Sequence, residues 1–309
     1  ALVSRPRNWF DSAMSDFDWD VVTPPDITNG IMEVAICGGA LVVATNEGML
    51  RTEDSGASWS ACETEGPGGW VFDARGDAEG TAYFVGDQGR VWHSKDGGHT
   101  FARCDVPKKW QLQGVVFEGD RVWLTSVQSG LWYSDSRGRT WAQQTSPSPV
   151  GVIYSGICRA DDGTLFAAGT EGTVIRSVDG EHWELVRQKG KKFLYGIART
   201  SALMVAPADK GSVFVSTDGG SSFSIKRTET QAYFYAGAVA ADTRVWIAGT
   251  GFGAPDLLST DDGKKWMGHE LPSGGNVLGL CSPSDNEVWV AAGSALLRGR
   301  RTGHGPATP

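Results

Sequence analysis

The sequence predicts an all-β protein, a seven-bladed β-propeller of four-stranded antiparallel blades with the last blade closed by an N-terminal strand. Three observations predict it. A short polar motif ending in an aromatic recurs six times, its aromatics at 59, 101, 141, 183, 223 and 266, in steps of 42, 40, 42, 40 and 43 residues. A fixed period in this range marks a repeat architecture. Within each period, four short runs rich in β-branched and aromatic residues alternate with Gly, Asp and Ser clusters, the pattern of a propeller blade. The last period, Val277–Arg298, has only three such runs, while Trp19–Val22 reads as an unclaimed fourth. Pairing the two removes both free edges of the ring. Six blades plus an odd strand is the alternative count.

The bulk properties fit. A chain of 309 residues is within reach of one all-β domain, and 42 Gly suit many tight turns. The net charge of −8, from 28 basic and 36 acidic side chains, argues against a general nucleic-acid binder. No apolar run approaches membrane-spanning length, so no membrane insertion is expected. Cys37, Cys62, Cys104, Cys158 and Cys281 show no CxxC spacing and no histidine partner pattern, so neither metal nor cofactor is expected. Cys62 and Cys104 each lie three residues past a motif aromatic, as packing residues of neighbouring repeats would. The odd count leans toward reduced thiols. The start at Ala1 is compatible with a cytoplasmic protein or with an exported one whose signal peptide has been removed.

Taken in order, residues 1–309 read as one propeller domain with residues 1–17 as an extension. Asn8–Phe17 has the apolar spacing of a short helix packed on the body of the fold. First strands begin near Ile31, Val71, Leu112, Ile153, Leu194, Phe234 and Val277, defining blades one to seven. In blade four the strands are expected at Ile153–Arg159, Thr164–Ala168, Thr173–Ser177 and Trp183–Arg187. Gly299–Pro309, rich in Gly, Pro and Arg, reads as a loose tail.

The repeated motif is a turn between third and fourth strands. Its copies are Thr52–Trp59, Ser94–Phe101, Ser134–Trp141, Ser177–Trp183, Ser216–Phe223 and Ser259–Trp266. The Ser/Thr ends a strand, the Asp carboxylate accepts from the turn's own N–H groups, and the aromatic anchors the next strand. Ser136 replaces the Asp in the third copy, and the fourth is one residue short. The motif resembles the Asp-box (BNR) repeat, S/T-x-D-x-G-x-x-W/F, of sialidases and other β-propellers, which implies a folding role on the face away from the usual site. The sialidase Phe-Arg-Ile-Pro motif is not found. Phe84–Phe101 and Ala168–Gly180 are closer to the V-G-x-x-G-x-I-x-x-S-x-D-G-G-x-x-W blades of photosystem II assembly/stability-factor-like proteins. That resemblance implies a seven-bladed, non-catalytic scaffold with a basic patch for a protein client.

Function is therefore sought in the connections between blades and in the turns between second and third strands, which share the opposite face. Val106–Gln111, Arg187–Tyr195 and Lys226–Tyr235 enter blades three, five and six. They carry eight of the 28 basic residues, Lys108, Lys109, Arg187, Lys189, Lys191, Lys192, Lys226 and Arg227, and end in aromatics. A cationic, aromatic rim on an acidic protein attracts an anion by field and holds it by stacking. The candidate ligand-binding residues are Lys108, Lys109, Trp110, Lys191, Lys192, Phe193, Tyr195, Tyr233, Tyr235 and Phe252, for an acidic protein segment or an anionic small molecule. The turns Ala206–Gly211 and Gly249–Asp256 read as longer than their counterparts and mark blades five and six as the candidate corner. The alternative is an enzyme, a glycan hydrolase or lyase or a small-molecule tailoring enzyme. Its acid/base groups would come from Tyr195, Tyr233, Tyr235, Asp209 or Asp256, with Glu33 and Asp73 as further carboxylates for a pair.

Overall fold

The computed structural model describes residues 16–302 apart from 26, 28, 29, 67, 129, 149, 150, 229, 252, 253, 273 and 274, and apart from the side chains of 238, 250, 251 and 254–256. The helix expected over Asn8–Phe17 and the tail beyond residue 302 lie outside the described residues, except that Phe17 itself is in a strand.

Seven antiparallel four-stranded sheets form the ring. The closing blade is built as expected: Phe17–Val21 pairs with Ala295–Arg301, register Phe17 to Arg301 and Val21 to Leu297. The last strand thus runs through Arg301, three residues into the segment expected to be loose, because the N-terminal strand supplies a partner for its backbone groups. Blade four has strands Tyr154–Arg159, Leu165–Gly169, Val174–Ser177 and Glu184–Arg187, each starting one residue later than expected.

Two departures matter. Glu63–Thr64 leaves blade one and pairs in parallel with Thr100–Phe101 at the rim of blade two. In blades five and six the innermost strand is cut to Ala198–Arg199 and Ala238–Ala240, four residues after the expected starts. Leu194 makes only an isolated bridge, to Ala208.

The apolar core of the described residues divides into seven clusters, one at each junction between blades. This is why second strands such as Ala40–Thr45 and Ala82–Gly86 are buried throughout: both faces meet a neighbouring blade. Cys62 and Cys104 pack in two successive clusters, and all five cysteines are free thiols.

The repeated turns close as expected. Ser94 Oγ donates to Asp96 Oδ1 (2.8 Å), and the Gly98 and Thr100 amides donate to Ser94 Oγ and Asp96 Oδ1 (3.0 Å each). Gly98 stands at φ +81°, the left-handed region that excludes most side chains. The sixth copy is corrected by one residue. Thr260, Asp262 and Gly263 form the turn, with the Lys264 and Lys265 amides donating to Asp262. Asp261 instead takes a two-pronged contact from Arg244, at 2.7 and 3.0 Å. The copy is thus one residue short, like the fourth.

Candidate binding site

The connections between blades are positioned by the turns they cross. Gly89, Gly172 and Gly211, each third in a turn between second and third strands, donate their amides to the carbonyls of Trp110 (2.6 Å), Lys192 (2.8 Å) and Ala232 (2.9 Å). These three acceptors are equivalent positions entering blades three, five and six. Asp209-Lys210-Gly211 closes as Asp87-Gln88-Gly89 and Thr170-Glu171-Gly172 do, with positive φ at Lys210, Gln88 and Glu171. The turn of blade five is therefore not longer than its counterparts. In blade six, Gly249–Asp256 is a hairpin extension rather than a loop, with Thr250 opposite Pro255 and Gly251 opposite Ala254. Phe252 lies outside the described residues, as does the side chain of Asp256.

Where the inner strands of blades five and six are interrupted, four rings form a continuous array. Phe193 stacks on Tyr195 (centroids 4.7 Å, 21°), Tyr195 meets Tyr235 edge to face (5.3 Å, 82°), and Tyr235 stacks on Tyr233 (5.8 Å, 13°). Leu194 and Phe234, between the paired aromatics, are fully buried and fix the two segments in the core. Tyr235 is 53% exposed. Burial foremost, then Tyr235, Asp209 and Tyr233, push the Tyr195 phenol up to about 12.

The basic residues divide. Lys192 is engaged within the protein, its Nζ 2.9 Å from Asp209 Oδ1 and donating to the Asp209 carbonyl at 3.2 Å. Arg187 donates to the carbonyls of Gly172 and Lys189 and covers the Phe214 ring at 4.5 Å. Lys191 is exposed two residues before Phe193, and Lys226 and Arg227 are exposed on the outermost strand of blade five. Lys108 and Lys109 are exposed on the connection into blade three, with blade four between them and the array. Trp110 packs edge to face on Trp132 (5.9 Å) within the junction of blades two and three. The structure thus gathers Phe193, Tyr195, Tyr233, Tyr235 and Lys191, and leaves Lys108, Lys109 and Trp110 apart.

The ring's axis carries a second feature. A vestibule of ≈ 650 Å³ opens among the first-strand ends and the turns that follow them, lined by Arg75, Asp77, Glu118, Arg159 and Arg199. It narrows to a waist of ≈ 40 Å³ bounded by Glu33, Asp73, Arg75, Gln113, Ser155 and Tyr195. Asp73 Oδ1 is 2.6 Å from Arg75, and Oδ2 accepts the Val115 amide of the next blade at 2.8 Å. Glu33 and Asp73 occupy one register position, just past the strand-opening bulge, where blades three, four and seven have Gly114, Gly156 and Gly279. Aligning the repeats on their buried strand-opening residues Ile31, Val71, Leu112, Tyr154 and Val277 brings out that exception, which reading each turn singly does not.

Residues 106–235 match the DUF6242 beta propeller domain. The photosystem II assembly lipoprotein Ycf48 of Synechococcus sp. (strain CC9902) is 29% identical over 148 residues, 46% of this chain and 44% of that protein. The match therefore spans less than half the length of this curated relative. Among solved structures, virginiamycin B lyase from Staphylococcus aureus superposes with TM-score 0.77 at 11% identity, covering 92% of this chain and 99% of that one. Ycf48 bound to a D1 peptide superposes with TM-score 0.69 at 15% identity, covering 92% and 97%. These two share the fold. The chain is a β-propeller, similar in sequence to photosystem II assembly lipoproteins Ycf48 over less than half of its own length.

Proposed function

We propose that this propeller is a non-enzymatic binding scaffold that holds an acidic or carboxylate-bearing protein segment on the aromatic array of blades five and six. The observation that carries the reading is the run of four touching rings from Phe193 to Tyr233, with Tyr235 open to solvent. Flat rings offer a segment stacking area at little conformational cost. Exposed Lys191, Lys226 and Arg227 supply the attraction for acidic groups that the chain's net negative charge would otherwise oppose. Lys108 and Lys109, two blades round the ring, steer an approaching segment rather than touch it. The relationship to Ycf48, a protein solved with a peptide bound, supports a protein partner. The enzyme reading gains less. A Tyr195 phenol pushed up to about 12 is a poor base at neutral pH, and the lyase resemblance is one of fold.

The test is fluorescence anisotropy of labelled acidic peptides against Tyr235→Ala, Lys191→Glu and the unaltered protein. Tyr235→Ala should weaken binding about tenfold, in line with loss of an aromatic anchor. Lys191→Glu should weaken it at low salt and flatten its salt dependence. Affinity unchanged in both variants removes the case for this surface.

A further inference from the structure

Glu33 is a buried acid, 4% exposed. Its Oε2 accepts the Val34 amide at 3.0 Å. Among the described residues it forms no ion pair, whereas Asp73 beside it has Arg75 at 2.6 Å. It faces a cavity of ≈ 40 Å³, more than the roughly 10–15 Å³ that a single water requires. The cavity shares Arg75, Ile157, Ile197, Val239 and Leu280 with the vestibule, so the two adjoin.

We propose that the waist of the channel binds a primary ammonium group, with the carboxylate of Glu33 as its counter-charge. Charge counting selects the sign. Asp73 and Arg75 cancel, so an ionised Glu33 leaves the waist at −1. An ammonium brings it to zero, while an anion would bury a second uncompensated charge. The size of the cavity and the donor set select the kind of cation. An ammonium head is about as large as a water and needs an oxygen acceptor, which the Glu33 carboxylate provides. A metal ion is disfavoured, since no three His, Cys, Asp or Glu side chains converge among the described residues.

The site is coupled to protons. The charged or titratable groups facing Glu33 are Asp73 and Arg75 of blade two, Cys281 of blade seven and Tyr195 of blade five. Burial foremost, then Asp73, hold the empty site's Glu33 well above the usual carboxylate range, against the Val34 amide and Arg75. Ammonium binding therefore releases the Glu33 proton to solvent, and affinity rises with pH through the Glu33 titration. The waist meets the aromatic array only at Tyr195.

The experiment is calorimetric titration of the whole chain with n-butylammonium chloride, in two buffers of unlike ionisation enthalpy, neither a primary amine. n-Butanol and sodium butyrate serve as the uncharged and anionic controls. Saturable binding of the ammonium alone is expected, with up to one proton released and affinity rising with pH. Glu33→Gln, whose amide oxygen still accepts from Val34, should weaken it at least about tenfold with unchanged circular dichroism. A lysine-containing tripeptide with blocked termini separates the sources. Tighter binding than butylammonium assigns a client's lysine, and weaker binding assigns a free small amine. No ammonium binding at millimolar concentration, binding without proton release, or equal binding by Glu33→Gln overturns the proposal. Should that variant not fold, the proton count of the unaltered protein decides.

Discussion

Phe17 stands edge-on to Trp246, ring centroids 5.0 Å apart at 90°, so the strand that closes the ring is pinned to the neighbouring blade. Arg244, 3% exposed at its side chain, lies 5.6 Å from the Phe17 ring and reaches both Asp261 and Asp16. The closure therefore depends on one buried aromatic as well as on strand pairing. Phe17→Ala should cost about 3–5 kcal/mol, the range for a buried Phe, and Phe17→Leu much less. Urea unfolding followed by tryptophan fluorescence measures both. A loss under about 1 kcal/mol would mean that backbone pairing alone holds the ring.

Gly211 places the connection into blade six. Its φ is +67°, and a Cβ there would stand 2.0 Å from the Thr230 carbonyl oxygen. Backbone strain and overlap act together, so Gly211→Ala should destabilise by about 2 kcal/mol or more and should weaken peptide binding more than its stability cost accounts for. Thermal melts and anisotropy on the same preparation separate the two effects.

The repeated turns give the fold an acid limit. Bonds from Ser58 and Ser222 hold Asp54 and Asp218 down to about 2, against an ordinary value of 3.8. Their contribution is complete above pH 3.8 and lost as pH falls toward 2, because the unfolded chain takes up the protons first. Stability measured against pH should fall across that window. Asp218→Asn should show a shallower fall there and lower stability at neutral pH.

Two buried histidines act at milder pH. Burial lowers His93, stacked on Tyr83 at 4.4 Å, and His269, bonded to Ser259 at 2.9 Å, to about 4. Both stay neutral in the fold while the unfolded chain protonates near 6.5, so stability should drop as pH falls from 6.5 to 4. Among the described residues His93 Nε2 has no hydrogen-bond partner, so His93→Phe should remove part of that slope at little cost at pH 7. An unchanged slope would place the titrating group elsewhere.

How far the chain could be read varied with the kind of interaction. Blade four was legible to within a residue because its strands alternate and its turns carry Gly and Asp. The inner strands of blades five and six were not. Leu194 and Phe234 look like strand openers, and their side chains are buried as such, yet the backbone beyond them leaves the ladder. The register of the sixth turn is not legible in the sequence because Asp261 and Asp262 are equally good by type, and only Arg244, from a different strand, tells them apart. Lys191 and Lys192 are alike by type, and only Asp209, in the turn of blade five, distinguishes them by holding Lys192.

By itself the sequence determined the wheel: the period, the number of blades, the closing strand and the turns all rest on local chemistry repeated about every 42 residues. Tertiary structure alone decided which polar groups are used up inside the fold and which remain for a ligand. That choice depends on partners a full blade away, as Val115 is from Asp73. It also depends on the dielectric that packing creates around Glu33, which no short stretch of chain encodes.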